Sequence, residues 1–469
     1  MNLYLQNTLT GAKQEFKPIH DGTVSMYNCG PTVYSKQHIG NMRPYVFADV
    51  LRRTLEYNGY AVKQVMNITD VGHMTNDEDG GADTGEDKME KAARKSGASA
   101  QEIAKRITKE FLIDLEQLSI DKSRIQIPRA TEYIAEQIAI TQTLEQKGYT
   151  YITNDGVYFD TSLFKDYGKL GNIDIRGLEE GARVEKNDEK KNKSDFALWK
   201  FSPKEENRQQ EWDSPWGTGF PGWHIECSAM SRALLGTHLD IHTGGIDHIP
   251  IHHNNEIAQS ECSTGKKFVN YWLHSAHILI DGKKISKSLG NTIYLQDLAA
   301  KGVHATAYRY WLLTGHYSTQ MNFTLEAVHA ANTALLKLYK YVEDNLAVSD
   351  GQVDEIYIQK FKEYINDDLN TPKALALLWD LLKDNTVNNE NKRATVLEFD
   401  KVLGLGLSER KKFRLEVSTE PEEVTVLLKE REEARAAEDF AKSDELRDKI
   451  KEMGYEVKDT PDGTALSKV

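Results

Sequence analysis

"TVSMYNCGPTVYSKQHIGNMRPYVFADVLRRTLEYNGYAVKQVMNIT", residues 23–69, decides the fold class. Its first eight residues, "TVSMYNCG", read as a short strand closing on a turn glycine. "HIGNMRPYVFADVLRRTLEYNG" then carries apolar residues at helical spacing, with Gly59 near its C-terminal end. "AVKQVMNIT" is a second strand. Strand, turn, helix and strand make one βαβ unit of a parallel sheet, and such sheets take ligands at the carboxyl ends of their strands. The expected class is α/β.

Outward from this unit the pattern breaks and then resumes. Residues 72–87, "GHMTNDEDGGADTGED", are glycine-rich and acidic and read as a surface insertion. A helix follows to about residue 118, and another begins near Thr131. "YTYITNDGVYFD" (149–160) alternates around Asn-Asp-Gly, a hairpin signal. The polar stretch 184–194 reads as an exposed loop. From about residue 216 come a helix, "LDIHTGG", a helix and "VNYWLHSAHILI". The hairpin region is therefore predicted to be inserted into a split α/β domain. After about residue 325 the chain is expected to be almost wholly helical, and in "NDDLNTPKALALLWDLL" Asn370 or Thr371 caps a helix with Pro372 in its first turn. No internal repeat is present.

The 469 residues exceed a single core and suffice for three or four domains. No run of 18 apolar residues suggests a membrane span, and residues 1–20 lack a signal-peptide block, so a cytoplasmic location is expected. Cys29, Cys227 and Cys262 are a sparse, odd set, better suited to metal ligation or burial than to disulfides. A net charge of −13 argues against indiscriminate nucleic-acid binding, yet leaves room for a polyanion held by local basic patches.

Eight of the fourteen histidines fall between His224 and His277. In "HHNNEIAQSEC" (252–262), His252 and Glu256 share a helical face, while His253 lies about a quarter-turn away. Cys29 closes the first strand and Cys227 sits in "PGWHIECSAM". Two thiolates, an imidazole and a carboxylate suit zinc. Spacing alone leaves a second reading open, two unrelated buried cysteines. "HIGN" (38–41) opens a helix, where free N–H groups attract phosphate. "KISKS" (284–288) puts two lysines and two hydroxyls at a turn, and taken alone it reads equally as a solvated loop. "GGIDH" (244–248) offers glycines for close approach and a carboxylate for ribose hydroxyls, or is an ordinary tight turn.

In their order along the chain, "CGPTVY", "HIGN", "NITD", "GWHIECSAM", "GGIDHIPIHHNNEIAQ" and "KISKSLGN" resemble cysteinyl-tRNA synthetases, a family of class I aminoacyl-tRNA synthetases. "NTLTGAKQEFKPI", "NDDLNTPKALALL" and "REEARAAEDFAKSDELRDKIKEMGYEVKDTPDGT" extend the likeness along the whole chain. The resemblance implies a Rossmann-like parallel-sheet catalytic domain split by an insertion, followed by an α-helical bundle and a small C-terminal domain. The implied boundaries are 1–128 and 216–283 for the two catalytic halves, 129–215 for the inserted connective domain, and 284–325 for the signature loop and stem-contact region. The bundle would span 326–410 and the anticodon-binding region 411–469.

The resemblance further implies one zinc per chain on Cys29, Cys227, His252 and Glu256, selecting the thiol of substrate L-cysteine. Gly30, Thr32, Thr69 and Trp223 would line the amino-acid pocket. His38 and Asn41 would contact ATP phosphates, Lys284 and Lys287 would act in catalysis, and Asp247 would face the ribose. ATP would arrive with Mg2+, the nucleic-acid partner would be tRNA(Cys), and a monomer that binds no membrane is expected. Arg431, Arg435 and Arg447 would meet tRNA phosphates. Three features depart from the family pattern: Asn41 replaces a histidine, residues 72–86 interrupt the run after "NITD", and Leu466 stands where a tryptophan is usual. A related ligase that passes cysteine to a small amino sugar is the rival reading; the bundle and C-terminal region argue against it. A catalytically dead RNA-binding paralogue is a second rival, opposed by the intact His38, Lys284 and Lys287.

Overall fold

The computed structural model describes residues 2–72, 87–173, 189–203, 208–286, 289–345, 351–408, 422–436, 439–460 and 463–468. Lys287 and most of the acidic insertion lie outside them, as do residues 461–462 and part of the polar stretch 184–194. Two compact units form, Met1–Leu295 with Ala305–Ser408, and Gln296–His304 with Glu409–Val469.

In the larger unit, five parallel strands lie in the order Val269–Ser275, Leu239–Gly245, Thr23–Asn28, Ala61–Met66, Ile125–Gln126. Numbered along the chain, this is the doubly wound order 5-4-1-2-3. Its direction reverses between Thr23–Asn28 and Leu239–Gly245, the place at which such sheets take ligands beyond their strand ends. Alternate residues of the first strand face different layers. Val24 and Met26 pack with Phe47, Leu51 and Leu55 of the helix Ile39–Tyr57. Tyr27 packs on the other side with Met230, Ile257 and Trp272.

The helix Ile39–Tyr57 starts on a capping box. His38 Nδ1 accepts from Asn41 N, and Asn41 Oδ1 accepts from His38 N, both at 3.2 Å. Pro44 lies inside the helix, at its sixth position, and removes the N–H that would otherwise bond Gly40 O. Its buried Arg43 ties the helix to Ala276 O, His277 O, His316 O and Thr319 O at 2.6–3.1 Å. One turn on, buried Asp49 pairs with Arg52, Arg53 and Arg309, the last at 2.7 Å. Arg309 also donates to Leu403 O and Leu118 O, so one carboxylate anchors the first helix to three other helical segments.

Between the third and fourth core strands, an antiparallel sheet runs Thr150–Ile152, Gly156–Phe159, Phe196–Phe201, Gly219–Pro221. The expected helix after the acidic stretch is broken at Gly97, which caps Lys88–Ser96 before Ser99 restarts Ala100–Gln117. Later helices include Leu325–Asn345, Glu355–Asn366, Thr371–Lys383 and Asn389–Leu403. Of the two candidate caps, Asn370 holds Lys373 N at 3.3 Å, with Pro372 in the first turn.

The smaller unit corrects the helical expectation. Helices Glu422–Ala436 and Phe440–Glu452 are followed by an antiparallel hairpin, Tyr455–Thr460 with Gly463–Lys468, in which Val457 pairs with Leu466. Val424, Ile450, Tyr455 and Val457 form its core. Arg431 is buried, only 1% exposed, which removes it from the expected phosphate contacts, whereas Arg435 and Arg447 are exposed. Among the described residues, no helix is long and apolar enough to cross a membrane.

Candidate active site

The strand ends at the order reversal bring together residues that the sequence scatters over more than 200 positions. Cys29 directly follows the first core strand, and its N–H donates to Thr243 O of the fourth at 3.1 Å. Cys227 lies on the helix Trp223–Leu235, and His252 and Glu256 on the helix His252–Thr264. Donor atoms of Cys29, Cys227, His252 and Glu256 all lie within 4.8 Å of one another, and all four residues are buried. His252 Nε2 is 3.1 Å from Glu256 Oε1, and Cys29 Sγ is 3.8 Å from the same oxygen. All three cysteines are free thiols.

This group of donors suits a divalent cation on its own electrostatics. Burial pushes the Cys29 thiol well above its ordinary range, with Cys227 and Glu256 adding to the rise. Cys227 is drawn down to about 6 by its hydrogen bond with Cys29, against the effect of burial. Burial opposes ionisation of Glu256, but His242 and His252 hold it at about 2. His252 is lifted, also against burial, to about 10 by Cys227 and Glu256. A buried thiolate and carboxylate thus gather positive charge onto the nearest imidazole, and a soft divalent ion would serve the same need with better geometry.

Beside this cluster runs a hydrogen-bonded chain. Gly30 N donates to Asn67 Oδ1 at 2.8 Å, Asn67 Nδ2 to Thr69 Oγ1 at 3.0 Å, and Thr69 Oγ1 to Glu226 Oε2 at 2.9 Å. Thr32 and Thr69 form an isolated parallel bridge that extends the strand pairing past the sheet edge. A Cβ on Gly30 would lie 1.6 Å from Asn67 O, so no larger residue fits there. Trp223 packs on His252 with ring centroids 4.5 Å apart, which places it beside the donors as well as in the half-buried layer.

The residues expected to face the nucleotide fall on separate elements. Half-buried His38 and exposed Asn41 open the first helix. Ile285 of "KISKS" sits over that turn, where a Cβ on Gly40 would meet its Cδ1 at 2.6 Å. Ile39 N donates to Ile293 O at 2.9 Å, tying the segment after the loop to the same turn. Lys284 is exposed on the two-residue strand Lys283–Lys284. Asp247 is exposed on the short turn Ile246–His248, just past the fourth core strand.

Four residues not singled out from the sequence belong to the same neighbourhood: Asn67, Glu226, His242 and His253. His253 Nε2 lies 3.2 Å from Cys29 Sγ, although His253 stands a quarter-turn from His252. The signal was present in Glu256, which is four residues from one histidine and three from the other and so neighbours both.

Solved structures share this architecture. A methionyl-tRNA synthetase of Mycobacterium tuberculosis, in complex with methionyl-adenylate, aligns over 82% of this chain and 90% of its own, with a TM-score of 0.56 and 15% identity. The fold and site define a class: residues 15–333 match the family described as tRNA synthetases class I (C) catalytic domain. Residues 360–407 match a DALR domain, and 419–465 a cysteinyl-tRNA ligase anticodon binding domain. Cysteine–tRNA ligase 1 of Burkholderia lata is 50% identical over 99% of this chain and 97% of its own length. The cysteine–tRNA ligase of Treponema denticola is 43% identical over the full length of both. The chain belongs to the cysteinyl-tRNA synthetase family of class I tRNA synthetases.

Proposed function

We propose that this chain is a cysteine–tRNA ligase: it joins L-cysteine to ATP as cysteinyl adenylate, releasing pyrophosphate, and passes the cysteinyl group to the terminal adenosine of tRNA(Cys). The observation that carries the reading is the buried Cys29, Cys227, His252 and Glu256 group at the carboxyl ends of the core strands. These residues would hold one zinc ion. Bound there, zinc would supply a soft Lewis acid that takes the substrate's thiolate in preference to the near-isosteric hydroxyl of serine.

Gly30, Thr32, Thr69 and Trp223 line the amino-acid pocket, with Asn67 and Glu226 fixing the Thr69 hydroxyl. Asp247 faces the ribose. ATP enters with Mg2+, and its phosphates meet the helix start at His38 and Asn41, where the positive end of the macrodipole favours anions. As a carboxylate oxygen of cysteine attacks the α-phosphorus, Lys287, with Lys284 before it, neutralises charge on the leaving pyrophosphate. Residues 129–215 act as a connective insertion, 284–325 as signature loop and stem contact, 326–410 as a bundle, and 411–469 as the anticodon reader. The protein works as a cytoplasmic monomer.

The test is ATP–pyrophosphate exchange with each amino acid, followed by charging of a tRNA(Cys) transcript. Exchange should require cysteine, and charging should require the cysteine anticodon. Cysteine-dependent exchange without any charging, but with ligation to a small amine, would overturn the tRNA reading.

A further inference from the structure

Glu256 is approached by two histidines that are presented in the same manner. His252 and His253 both turn Nε2 toward Glu256 Oε1, at 3.1 and 3.8 Å. Each is held from behind at Nδ1 by another imidazole: His224 Nδ1 lies 2.9 Å from that of His252, and His274 Nε2 lies 2.8 Å from that of His253. His274 is itself anchored by Thr8 Oγ1 at 2.8 Å. A ring fixed through one nitrogen, with the other aimed at a carboxylate and a thiol, is how ligating histidines are oriented.

A fourth donor stands on the other side of the carboxylate. His242 Nε2 is 2.9 Å from Glu256 Oε2, and its ring stacks on Trp272 at 4.5 Å and 19°. Its Nδ1 is buried without a hydrogen-bond partner among the described residues. Donor atoms of Cys29, His242, His253 and Glu256 lie within 4.8 Å of one another, the same closeness as in the first group. Cys29 and Glu256 belong to both groups; His252 and His253 share Glu256 Oε1, and His242 faces Oε2.

We propose that Cys29, His242, His253 and Glu256 form a second, overlapping seat for a single divalent ion, filled when the Cys227 thiolate is unavailable. The proposal rests on the ion-binding reading of the first group. One thiolate, one carboxylate and two neutral imidazoles leave a divalent ion electrically neutral, whereas the first seat's two thiolates and carboxylate leave one excess negative charge. Sharing two donors prevents both seats from being filled at once. The arrangement keeps the ion at the strand ends when the first seat is incomplete.

The test measures Co2+ and Zn2+ affinity by competition with a chromophoric chelator in four full-length proteins: unaltered, His253→Gln, Cys227→Ser and the double variant, each checked for folding by near-ultraviolet circular dichroism. His253→Gln alone should weaken binding less than about tenfold. Cys227→Ser should still take up one ion per chain, with about half the sulfur-to-cobalt absorption because one thiolate remains. In that background His253→Gln should cost at least about a hundredfold more. The same factor in both backgrounds would make His253 a structural residue and overturn the second seat. An ion lost outright from Cys227→Ser, with the unaltered protein loaded, would overturn it while leaving the first seat standing. No ion in the unaltered protein would instead overturn the reading on which both seats rest.

Discussion

Replacing Asp49 with Asn should destabilise the larger unit by about 2–3 kcal/mol at neutral pH, because it leaves buried guanidinium charge uncompensated. Asp49 has a fully buried side chain and pairs with Arg309, whose side chain is likewise 0% exposed, and with Arg52 and Arg53. Burial would raise its carboxyl pKa; Arg309, Arg53 and Arg52 outweigh burial and hold it at about 2. Against an unfolded aspartate near about 3.9, that depression is worth about 2–3 kcal/mol. A depressed folded pKa gives stability that is fully present above the unfolded value and is lost as pH falls through the folded one. The unaltered protein should therefore converge on Asp49→Asn between about pH 5 and pH 2, since protonated Asp49 and Asn leave Arg309 equally unpaired. Urea unfolding at a series of pH values measures both quantities. A difference under about 1 kcal/mol at pH 7, or one that does not shrink on acidification, would refute the reasoning.

Lys287→Ala should slow adenylate formation at least about tenfold with a smaller effect on ATP binding, because a lysine on the leaving pyrophosphate acts mainly in the transition state; an unchanged single-turnover rate would remove that role. Gly30→Ala should cost about 3 kcal/mol or more and raise the KM for cysteine, since its Cβ has to displace the Asn67 carbonyl from 1.6 Å. Thermal unfolding and exchange kinetics together check it, and native values of both would contradict the place of Gly30 in the amino-acid pocket. Removing residues from 411 onward should spare cysteine-dependent exchange and sharply reduce charging, with full-length binding to tRNA weakening as salt rises. Equal charging by both proteins on matched and altered anticodons would contradict the anticodon role.

The catalytic core was legible because strand and helix periodicities there are long and clean. "TVSMYN" and "AVKQVM" became adjacent parallel strands, and Asn370 with Pro372 marked a helix start where one was expected. The C-terminal hairpin was not read, although Pro461-Asp462-Gly463 is a turn signal between the alternating "YEVKDT" and "GTALSK". The charged helical run before them dominates any window that includes them. The sequence presents Arg431 as a surface cation because arginine usually is one, and it does not reveal that this one is buried. Helical spacing points His253 away from the face that His252 and Glu256 share. That argument fails where a strand end abuts the helix's first turn, since a thiol placed between two faces is reachable from both.

The central claim is that Cys29, Cys227, His252 and Glu256 hold the ion that selects the substrate's thiol. Its most direct measurement is the ratio of cysteine to serine activation, followed by ATP–pyrophosphate exchange, in protein stripped of metal and then titrated with zinc. The account predicts that metal-free protein loses cysteine activation, or that its preference falls to about a hundredfold or less, the limit for a pocket without metal–sulfur bonding. One zinc per chain should restore it. A verified metal-free protein that still selects cysteine as strongly as the loaded one would contradict the account.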